Sequence, residues 1–292
     1  MRTVLAVDIG GTKLEAGLVD RRGKLLTRAR TPTPVSTDPE VVLEALADVV
    51  ERARQAAQGS DFPLEAVGVG CGGPMTRGGE RVSPLHIPAW RDFPLGARLA
   101  DRVGVSAFVD NDAKALARGE GWVGAAAGCN DFLAMVVSTG VGGGIVLDGR
   151  LLDGAGGNAG HVGHIVVEPD GLVCACGAQG CLEAYASGPS IARWSGQAPE
   201  EAAPEVVREV GTLVGRAIAS VVHLLDLRLA VIAGSVALGF GEPFFRAAQA
   251  ELDARARLAF AHGARVVPAG LGPDGPLVGA AAVGWVGAGV PL

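Results

Sequence analysis

Three of the five cysteines and two of the five histidines fall within one short segment, residues 160–183. Four of these side chains follow the spacing His-x9-Cys-x-Cys-x4-Cys, namely His164, Cys174, Cys176 and Cys181. Three thiolates and one imidazole are a usual tetrahedral shell for structural zinc. The spacing therefore predicts a structural Zn²⁺ site, and because its shell is closed we expect no catalytic role for the metal. A loop of unliganded cysteines is the alternative interpretation.

Three glycine-bearing turns follow apolar runs, where backbone N–H groups commonly bind phosphate oxygens. Their sequences are DIGGTK (8–13), STGVGGG (138–144) and AGSV (233–236). In the first turn, Gly10 and Gly11 allow close backbone approach, Thr12 offers a hydroxyl and Asp8 offers a carboxylate. Each turn alone is also compatible with an ordinary tight turn, but together they favour a nucleotide site. They match neither the P-loop nor the dinucleotide-binding glycine pattern.

A carboxylate suited to proton transfer lies between these turns, in the segment VDNDAK. Asn111 and Asp112 stand where a predicted strand meets a predicted helix, and a helix N-terminus favours an ionised carboxylate. Phosphoryl transfer to an alcohol needs a group that accepts the hydroxyl proton. Asp112 is therefore a candidate general base, and the N-cap of the helix is its alternative role.

The elements that must position these residues alternate between strands and helices. Strands are predicted in TVLAVDIGGT, KLEAGLVD, LLTRART, EAVGVGCGG, SAFVD, LAVIAGSV and, as a pair, DFLAMVVSTGVGGGIVLDGRLLDG. Helices are predicted in TDPEVVLEALADVVERARQAAQG, PLGARLADRVG, NDAKALARGEGWVGAA, PEVVREVGTLVGRAIASVVHLLD, GEPFFRAAQAELDARARL and PLVGAAAVGWVGAG. In the first helix, Pro39 marks the first turn and Gly59 the end.

This order predicts an α/β protein of two lobes, each with a mixed sheet. We expect the first lobe to span residues 1–110, with the C-terminal helix, about 278–292, packing back on it. Residues 111–277 would form a larger second lobe that contains the cysteine loop, with the active site in a cleft between the lobes.

Composition limits the class of partner. The chain has 292 residues, 49% of them hydrophobic, and a formal net charge of −6. A negative balance argues against nucleic-acid and anionic-membrane partners, which need a basic surface, so we expect a small-molecule ligand. A secretory leader and a bilayer-length apolar run are not apparent, which predicts a cytoplasmic protein. Cys71 and Cys129 stand apart from the cluster, and we expect them to be buried as small apolar side chains.

The segments DIGGTK, NDA, STGVGGG, GHVGH, CACGAQGCLEAYASG and AGSV occur in the order and spacing of the ROK family of sugar kinases and repressors, and the chain resembles that family over almost its whole length. The resemblance implies a two-lobed, actin-like (ribonuclease H-like) fold and an ATP- and Mg²⁺-dependent kinase that phosphorylates the 6-hydroxyl of a hexose. It further implies a homodimer.

The resemblance also assigns residues. It makes Asp112 the base. The residues it implies at the sugar are Gly73, Asn111, Asp112, His164 and Glu183, with His164 serving both zinc and sugar. The residues it implies at ATP are Asp8, Gly10, Gly11, Thr12, Lys13, Thr139, Gly140 and Gly234, the last near adenosine. The zinc loop would then fix His164 and Glu183 against the sugar.

Departures from the family pattern bear on the substrate. His161 stands where ROK glucokinases usually have glutamate, and the H-x-G-H form resembles bacterial N-acetylmannosamine kinases. His86 stands where the family often has asparagine. The first phosphate-binding strand begins at Thr3, so we expect no DNA-binding winged helix like that of ROK repressors. We expect a glucokinase-like enzyme, with N-acylmannosamine kinase and a catalytically silent sugar sensor as alternatives.

Overall fold

The computed structural model describes residues 1–57 and 62–292, and this part of the chain forms two compact units. The first unit comprises Met1–Ala127, Asp153–Ala159 and Gly270–Leu292, and the second comprises Gly128–Leu152 and Gly160–Ala269. Each unit carries one five-stranded mixed sheet with helices, which confirms the predicted α/β class.

The strands are β1 (Thr3–Ile9), β2 (Lys13–Asp20), β3 (Ala29–Pro32), β4 (Leu64–Cys71), β5 (Ala107–Asn111), β6 (Phe132–Val137), β7 (Val141–Leu147), β8 (Arg150–Leu151), β9 (Leu229–Ala233) and β10 (Arg265–Pro268). The first sheet has the order β3-β2-β1-β4-β5, and the second has the order β8-β7-β6-β9-β10. In both sheets the first three strands pair antiparallel and the last three pair parallel. The two units therefore repeat one topology.

The helices are α1 (Pro39–Gln55), α2 (Leu95–Val103), α3 (Asp112–Val123), α4 (Glu183–Ala186), α5 (Gly188–Ser195), α6 (Pro204–Leu225), α7 (Ser235–Phe240), α8 (Glu242–Arg255) and α9 (Gly275–Gly287). Helix α1 begins after Asp38, whose side chain accepts a hydrogen bond from the N–H of Glu40, and it buries one apolar face against the first sheet. Helix α9 is apolar on nearly every side because it packs against β1, β4 and α3. The predicted helix end at Gly59 lies outside the described residues.

The unit boundary differs from the predicted boundary after residue 110. Helix α3 belongs to the first unit, as does the whole segment from Gly270 onwards. Helix α3 packs against α9 and β4 of this unit, and its fully buried Glu120 accepts hydrogen bonds from the N–H groups of Ala125 (2.7 Å), Gly270 (3.0 Å) and Leu271 (3.1 Å). Such donors compensate a buried charge that would otherwise be costly, and they tie the C-terminal segment to α3.

In the described part of the chain, none of the helices has the length and apolar character needed to span a membrane.

Candidate functional site

In the first unit, the carboxyl ends of three parallel strands meet at one edge of the sheet. Ile9 of β1 is in register with Cys71 of β4, and Cys71 is in register with Asn111 of β5. The turn after β1, the GGP segment after β4 and the start of α3 therefore lie along the same edge. Ligands of α/β proteins commonly bind at this edge.

The first glycine turn is a tight hairpin between β1 and β2. The N–H of Gly10 donates to the carbonyl of Lys13 at 3.0 Å, and the hydroxyl of Thr33 donates to the carbonyl of Gly10 at 2.7 Å. Gly11 and Thr12 are exposed at its tip. The Lys13 ammonium forms an ion pair with the buried carboxylate of Glu15. The turn is held on both sides while its tip faces solvent.

His86 lies directly against this turn. A Cβ built on Gly11 would lie 2.4 Å from the Cβ of His86, so only glycine fits at that position. His86 is exposed, on a loop that the guanidinium of Arg91 holds. The guanidinium donates to the carbonyls of Pro84 (2.9 Å), Ile87 (3.0 Å) and Trp90 (2.7 Å). From the sequence, His86 is a candidate for sugar recognition only, whereas the structure places it beside the predicted phosphate turn.

The sequence left two roles open for Asp112, general base and N-cap of α3, and in the structure Asn111 is the N-cap. Asn111 is the N-cap of α3, because its side-chain oxygen accepts hydrogen bonds from the N–H groups of Ala113 (3.0 Å) and Lys114 (3.4 Å). Asp112 is the first helical residue and is exposed to solvent, so its N-cap alternative is wrong. A Cβ built on Gly73 would lie 3.6 Å from the Nδ2 of Asn111, which brings Gly73 and Asn111 together.

Two carboxylates influence each other at this edge. Burial raises the pKa of Asp8 from 3.8 to about 7, and the negative charge of Asp112 adds to the rise, while Lys13 opposes it. Burial and the same two carboxylates raise the pKa of the Cys71 thiol well above its ordinary value. Cys71 is buried, as expected, and is an unreactive thiol in this setting. The edge thus concentrates negative charge that a cation would relieve.

A network that the sequence did not indicate lies two residues further along α3. The ammonium of Lys114 is buried and contacts carboxylate oxygens of Asp110 at 2.9 Å and Asp153 at 2.6 Å. It also contacts the carbonyl of Gly157 at 3.4 Å. These contacts hold Asp153–Ala159 in the first unit, although the chain on both sides belongs to the second. No local pattern at Lys114 indicates this, because its partners Asp153 and Gly157 are distant in sequence.

In the second unit, the other two glycine turns meet at the ends of β6 and β9. Val136 of β6 is in register with Ala233 of β9, and the hydroxyls of Ser138 and Ser235 are 2.9 Å apart. Gly234 has a φ of 103°, and a Cβ there would lie 2.2 Å from the carbonyl oxygen of Val137. The two turns therefore form one continuous surface that requires glycine at position 234.

Glu183, at the start of α4, contacts this surface. Its Oε2 accepts a hydrogen bond of 2.9 Å from the N–H of Val141. A Cβ built on Gly140 would lie 3.3 Å from the same oxygen. Thr139, beside Gly140, is exposed. Glu183 is thus in contact with the turn predicted to bind phosphate, a contact that sequence reasoning did not anticipate.

The four predicted zinc ligands converge. One ligand atom from each of His164, Cys174, Cys176 and Cys181 lies within 4.8 Å of all the others. His164 Nδ1 is 3.8 Å from Cys174 Sγ, and Cys176 Sγ is 3.8 Å from Cys181 Sγ. Zinc–sulfur bonds of about 2.3 Å in a tetrahedron require sulfur atoms about 3.8 Å apart. The donor set and its spacing fit zinc.

The loop that presents these ligands is closed by backbone hydrogen bonds. Cys174 N–H donates to Ala178 at 2.8 Å, and Gly180 N–H donates to Leu172 at 2.8 Å. Burial raises the pKa of the Cys181 thiol to about 12, with the neighbouring Cys176 and Cys174 adding to the rise. Thiolates placed this closely need a nearby positive charge, which a divalent metal supplies.

His161 immediately precedes a single turn of 3-10 helix, Val162–His164, and both histidines are exposed. Their ring centroids are 6.1 Å apart, with an interplanar angle of 21°. Because His164 directs Nδ1 toward Cys174, its other nitrogen points away from the cluster. The two imidazoles thus stand side by side next to the candidate metal site.

Comparison with known proteins matches residues 4–284 to the family model described as the ROK family. Over 199 residues the chain is 41% identical to the glucokinase of Streptomyces coelicolor, and the match covers 68% of this chain and 60% of that protein. It is 38% identical over 254 residues to the N-acetylmannosamine kinase of Citrobacter koseri, covering 82% of this chain and 85% of that protein.

Among solved structures, the fold is similar to a ROK family glucokinase from Streptomyces griseus in complex with glucose and AMPPNP. The TM-score is 0.82 at 32% identity, covering 97% of this chain and 99% of that chain. The sequence match to the S. coelicolor glucokinase, by contrast, spans about three fifths of that protein's length.

Proposed function

The chain belongs to the ROK family, and from this premise we propose that it is an ATP-dependent hexose kinase that phosphorylates the 6-hydroxyl of glucose. The observation that carries the proposal is the position of Asp112. Its exposed carboxylate begins α3 at the sheet edge that also holds the DIGGT turn and Asp8. A base beside a phosphate-binding turn is what phosphoryl transfer to an alcohol requires.

In this proposal Asp112 accepts the proton of the sugar 6-hydroxyl as the oxygen attacks the γ-phosphorus, and the bond from that phosphorus to the β–γ bridging oxygen breaks, so that ADP leaves. The amino end of α3 favours the ionised form of Asp112, which a base needs. Asn111, held by its cap hydrogen bonds, and the backbone of Gly73 would bind neighbouring hydroxyls. Glu183, His161 and His164, which belong to the second unit, are also assigned to sugar recognition in this proposal.

The glycine turns would bind the nucleotide. The backbone N–H groups of Gly11 and Thr12, and those of Thr139 and Gly140, would donate to phosphate oxygens, and the surface around Gly234 would contact adenosine. Such contacts neutralise the charge that develops during transfer. In this proposal Lys13 supplies positive charge near the first turn.

Magnesium accompanies ATP in this proposal. Mg²⁺ prefers carboxylate oxygens and phosphate oxygens as ligands. The carboxylate of Asp8 fits this preference. Its raised pKa means that the surrounding groups do not fully stabilise its negative charge, and a bound cation would do so. Asp8 would hold the ion, which supplies charge neutralisation at the phosphates.

We assign His164, Cys174, Cys176 and Cys181 to a structural Zn²⁺ ion on the basis of their spacing and donor chemistry. The closed four-ligand set leaves no open position, so the ion would order the loop without taking part in chemistry. Through Nδ1, His164 would serve the metal while its other nitrogen remains available to a sugar hydroxyl.

N-acetylmannosamine is the second candidate substrate. His161 occupies the position where ROK glucokinases usually have glutamate, and the similarity to the C. koseri N-acetylmannosamine kinase extends over a larger part of both proteins. An imidazole offers one donor and one acceptor, whereas a carboxylate offers only acceptors. The choice between the two sugars would therefore depend on His161.

The proposal includes a cytoplasmic homodimer. None of the five cysteines forms a disulfide, which agrees with a reducing compartment. The dimer follows from the family resemblance, and sedimentation of the purified protein would test it.

The function is tested by measuring ADP formation with ATP, Mg²⁺ and a panel of glucose, mannose, N-acetylglucosamine and N-acetylmannosamine. We expect glucose-dependent ADP formation and a product phosphorylated at C6 by ³¹P NMR. 6-Deoxyglucose, which lacks the acceptor hydroxyl, is the control and should give none. Turnover with N-acetylmannosamine but not glucose would replace the first candidate with the second, and no sugar-dependent turnover would refute the kinase proposal.

A further inference from the structure

The turn at residues 138–140 joins β6 to β7 and is held by contacts from outside the hairpin. Within the loop, Ser138 N–H donates to the carbonyl of Gly140 at 3.0 Å. The side-chain contact of Ser138 with Ser235 fixes one end of the turn. At the other end of the turn, Gly140 leaves the backbone conformationally free, so contacts from neighbouring segments are needed to fix its conformation.

That other end is fixed by the segment that begins α4. Glu183 Oε2 accepts the Val141 N–H at 2.9 Å, and five residues later the Gly188 N–H donates to the Ser138 carbonyl at 2.8 Å. The segment 183–188 therefore forms hydrogen bonds with both ends of the turn. The close approach of Gly140 to the carboxylate shows that the turn rests on Glu183.

Glu183 is itself well anchored. The preceding residue, Leu182, is fully buried and donates its N–H to the Ile165 carbonyl at 2.9 Å. Cys181 pairs with Val166 in an isolated β-bridge. A carboxylate on a fixed backbone can define the position of the N–H that it accepts, and a hydrogen bond to a charged group is stronger than a neutral one.

We propose that Glu183 is a positioning residue for the phosphate-binding turn, acting through the Val141 N–H, in addition to its assigned role at the sugar. The inference rests on the proposed function, because it takes residues 138–140 as a nucleotide phosphate site. Since the carboxylate occupies the Val141 N–H, the donors left for phosphate are those of Thr139 and Gly140. Glu183 thus links sugar recognition to nucleotide recognition within the second unit.

The test separates the two roles by measuring binding of the ATP analogue AMPPNP without any sugar. Glu183→Leu removes the acceptor and should weaken AMPPNP binding by about tenfold to one-hundredfold, the range for loss of a hydrogen bond to a charged group. Glu183→Gln keeps an acceptor oxygen and should hold AMPPNP affinity within about threefold of wild type, while glucose affinity falls in both variants.

Asp131 provides a matched control. It is half-buried like Glu183 and accepts a backbone hydrogen bond from Asp148 at 2.8 Å, at the end of β6 remote from the turn. Asp131→Leu should leave AMPPNP binding unchanged. An equal loss in Asp131→Leu and Glu183→Leu would mean that general loosening of the hairpin, and not the Glu183 contact, explains the effect.

The outcomes are distinct. AMPPNP binding by Glu183→Leu at the wild-type level, with glucose binding alone reduced, would overturn the inference and leave the kinase proposal standing. A wild-type protein that binds no AMPPNP would overturn the proposed function, and the inference with it. If Glu183→Leu does not fold, Glu183→Ala takes its place: reduced AMPPNP affinity in Glu183→Ala with near-wild-type affinity in Glu183→Gln supports the inference, and wild-type AMPPNP affinity in Glu183→Ala contradicts it.

Discussion

At the scale of single residues, the first unit concentrates negative charge where the proposal needs a cation. Asp8 is half-buried at the end of β1, and its pKa of about 7 arises first from burial and then from Asp112. A carboxyl group whose pKa is strongly raised by burial and by a neighbouring negative charge is typical of functional sites. The arrangement makes the stability of the protein depend on pH.

The dependence has a definite sign. A carboxyl that holds its proton more tightly when folded makes the folded state less stable as pH rises, here between about 3.8 and 7. Asp8→Asn removes this penalty, so the variant should be more stable than wild type at pH 8, with the difference shrinking toward pH 4. Urea unfolding at both pH values measures it, with Asp38→Asn at the N-cap of α1 as the control. An equal effect of Asp8→Asn at both pH values would contradict the explanation.

His161 is the residue on which substrate choice should depend. Its exposed ring stands beside that of His164, where a glutamate would offer two acceptor oxygens instead of one donor and one acceptor. We expect His161→Glu to shift the ratio of kcat/KM for glucose to that for N-acetylmannosamine by about tenfold or more, because an unmatched buried polar group is costly. His262→Glu, an exposed substitution in the same unit, should not change the ratio. Equal losses on both sugars would assign His161 to support of the loop.

At the scale of elements, the cysteine loop, residues 164–181, connects the metal cluster to the residues proposed at the sugar. Cys181 lies two positions before Glu183, and His164 belongs to both sets. Small irregular loops have few apolar contacts of their own, and metal ligation supplies the missing stability. The loop should therefore lose its order together with its metal.

Cys176→Ala tests this coupling. The variant should lower the zinc content of freshly purified protein from about one ion per chain and weaken glucose binding in parallel, because His164 and Glu183 lose their anchor. Metal analysis and calorimetry on the same sample measure both. Cys129→Ala, at a half-buried thiol outside the cluster, should change neither. Never-chelated wild-type protein without zinc would refute the metal assignment.

Local patterns predicted those elements whose signals are local. The glycine turns, the start of α1 at Pro39 and the cysteine spacing each depend on a few neighbouring residues, and the structure places all of them in the expected local geometry. Strand β10 was not predicted, since four residues at a sheet edge carry too little periodicity. Three contacts were also missed, those of Lys114 with Asp153, of His86 with Gly11 and of Glu183 with Val141. Each joins residues far apart in sequence.

At the scale of the whole molecule, one sheet topology occurs twice, and each copy presents glycine turns at the carboxyl ends of its parallel strands. The repetition explains why three similar turns occur in one chain. The unit boundaries could not be predicted, because they depend on contacts between segments that are distant in the chain. Glu120 accepts hydrogen bonds from Gly270 and Leu271, and Lys114 forms an ion pair with Asp153. The family likeness over residues 4–284 includes residues of both units.

The central claim is that the chain is a hexose kinase with Asp112 as its general base. It is tested most directly by measuring glucose binding and glucose-dependent ADP formation in the same preparations of wild type, Asp112→Asn and the control Asp38→Asn. Because the amide keeps the size of the side chain but cannot accept the proton, turnover in Asp112→Asn should fall by at least about one-hundredfold while glucose still binds. Asp38→Asn should match wild type. Near-normal turnover in Asp112→Asn, with an unchanged pH dependence, would contradict the claim.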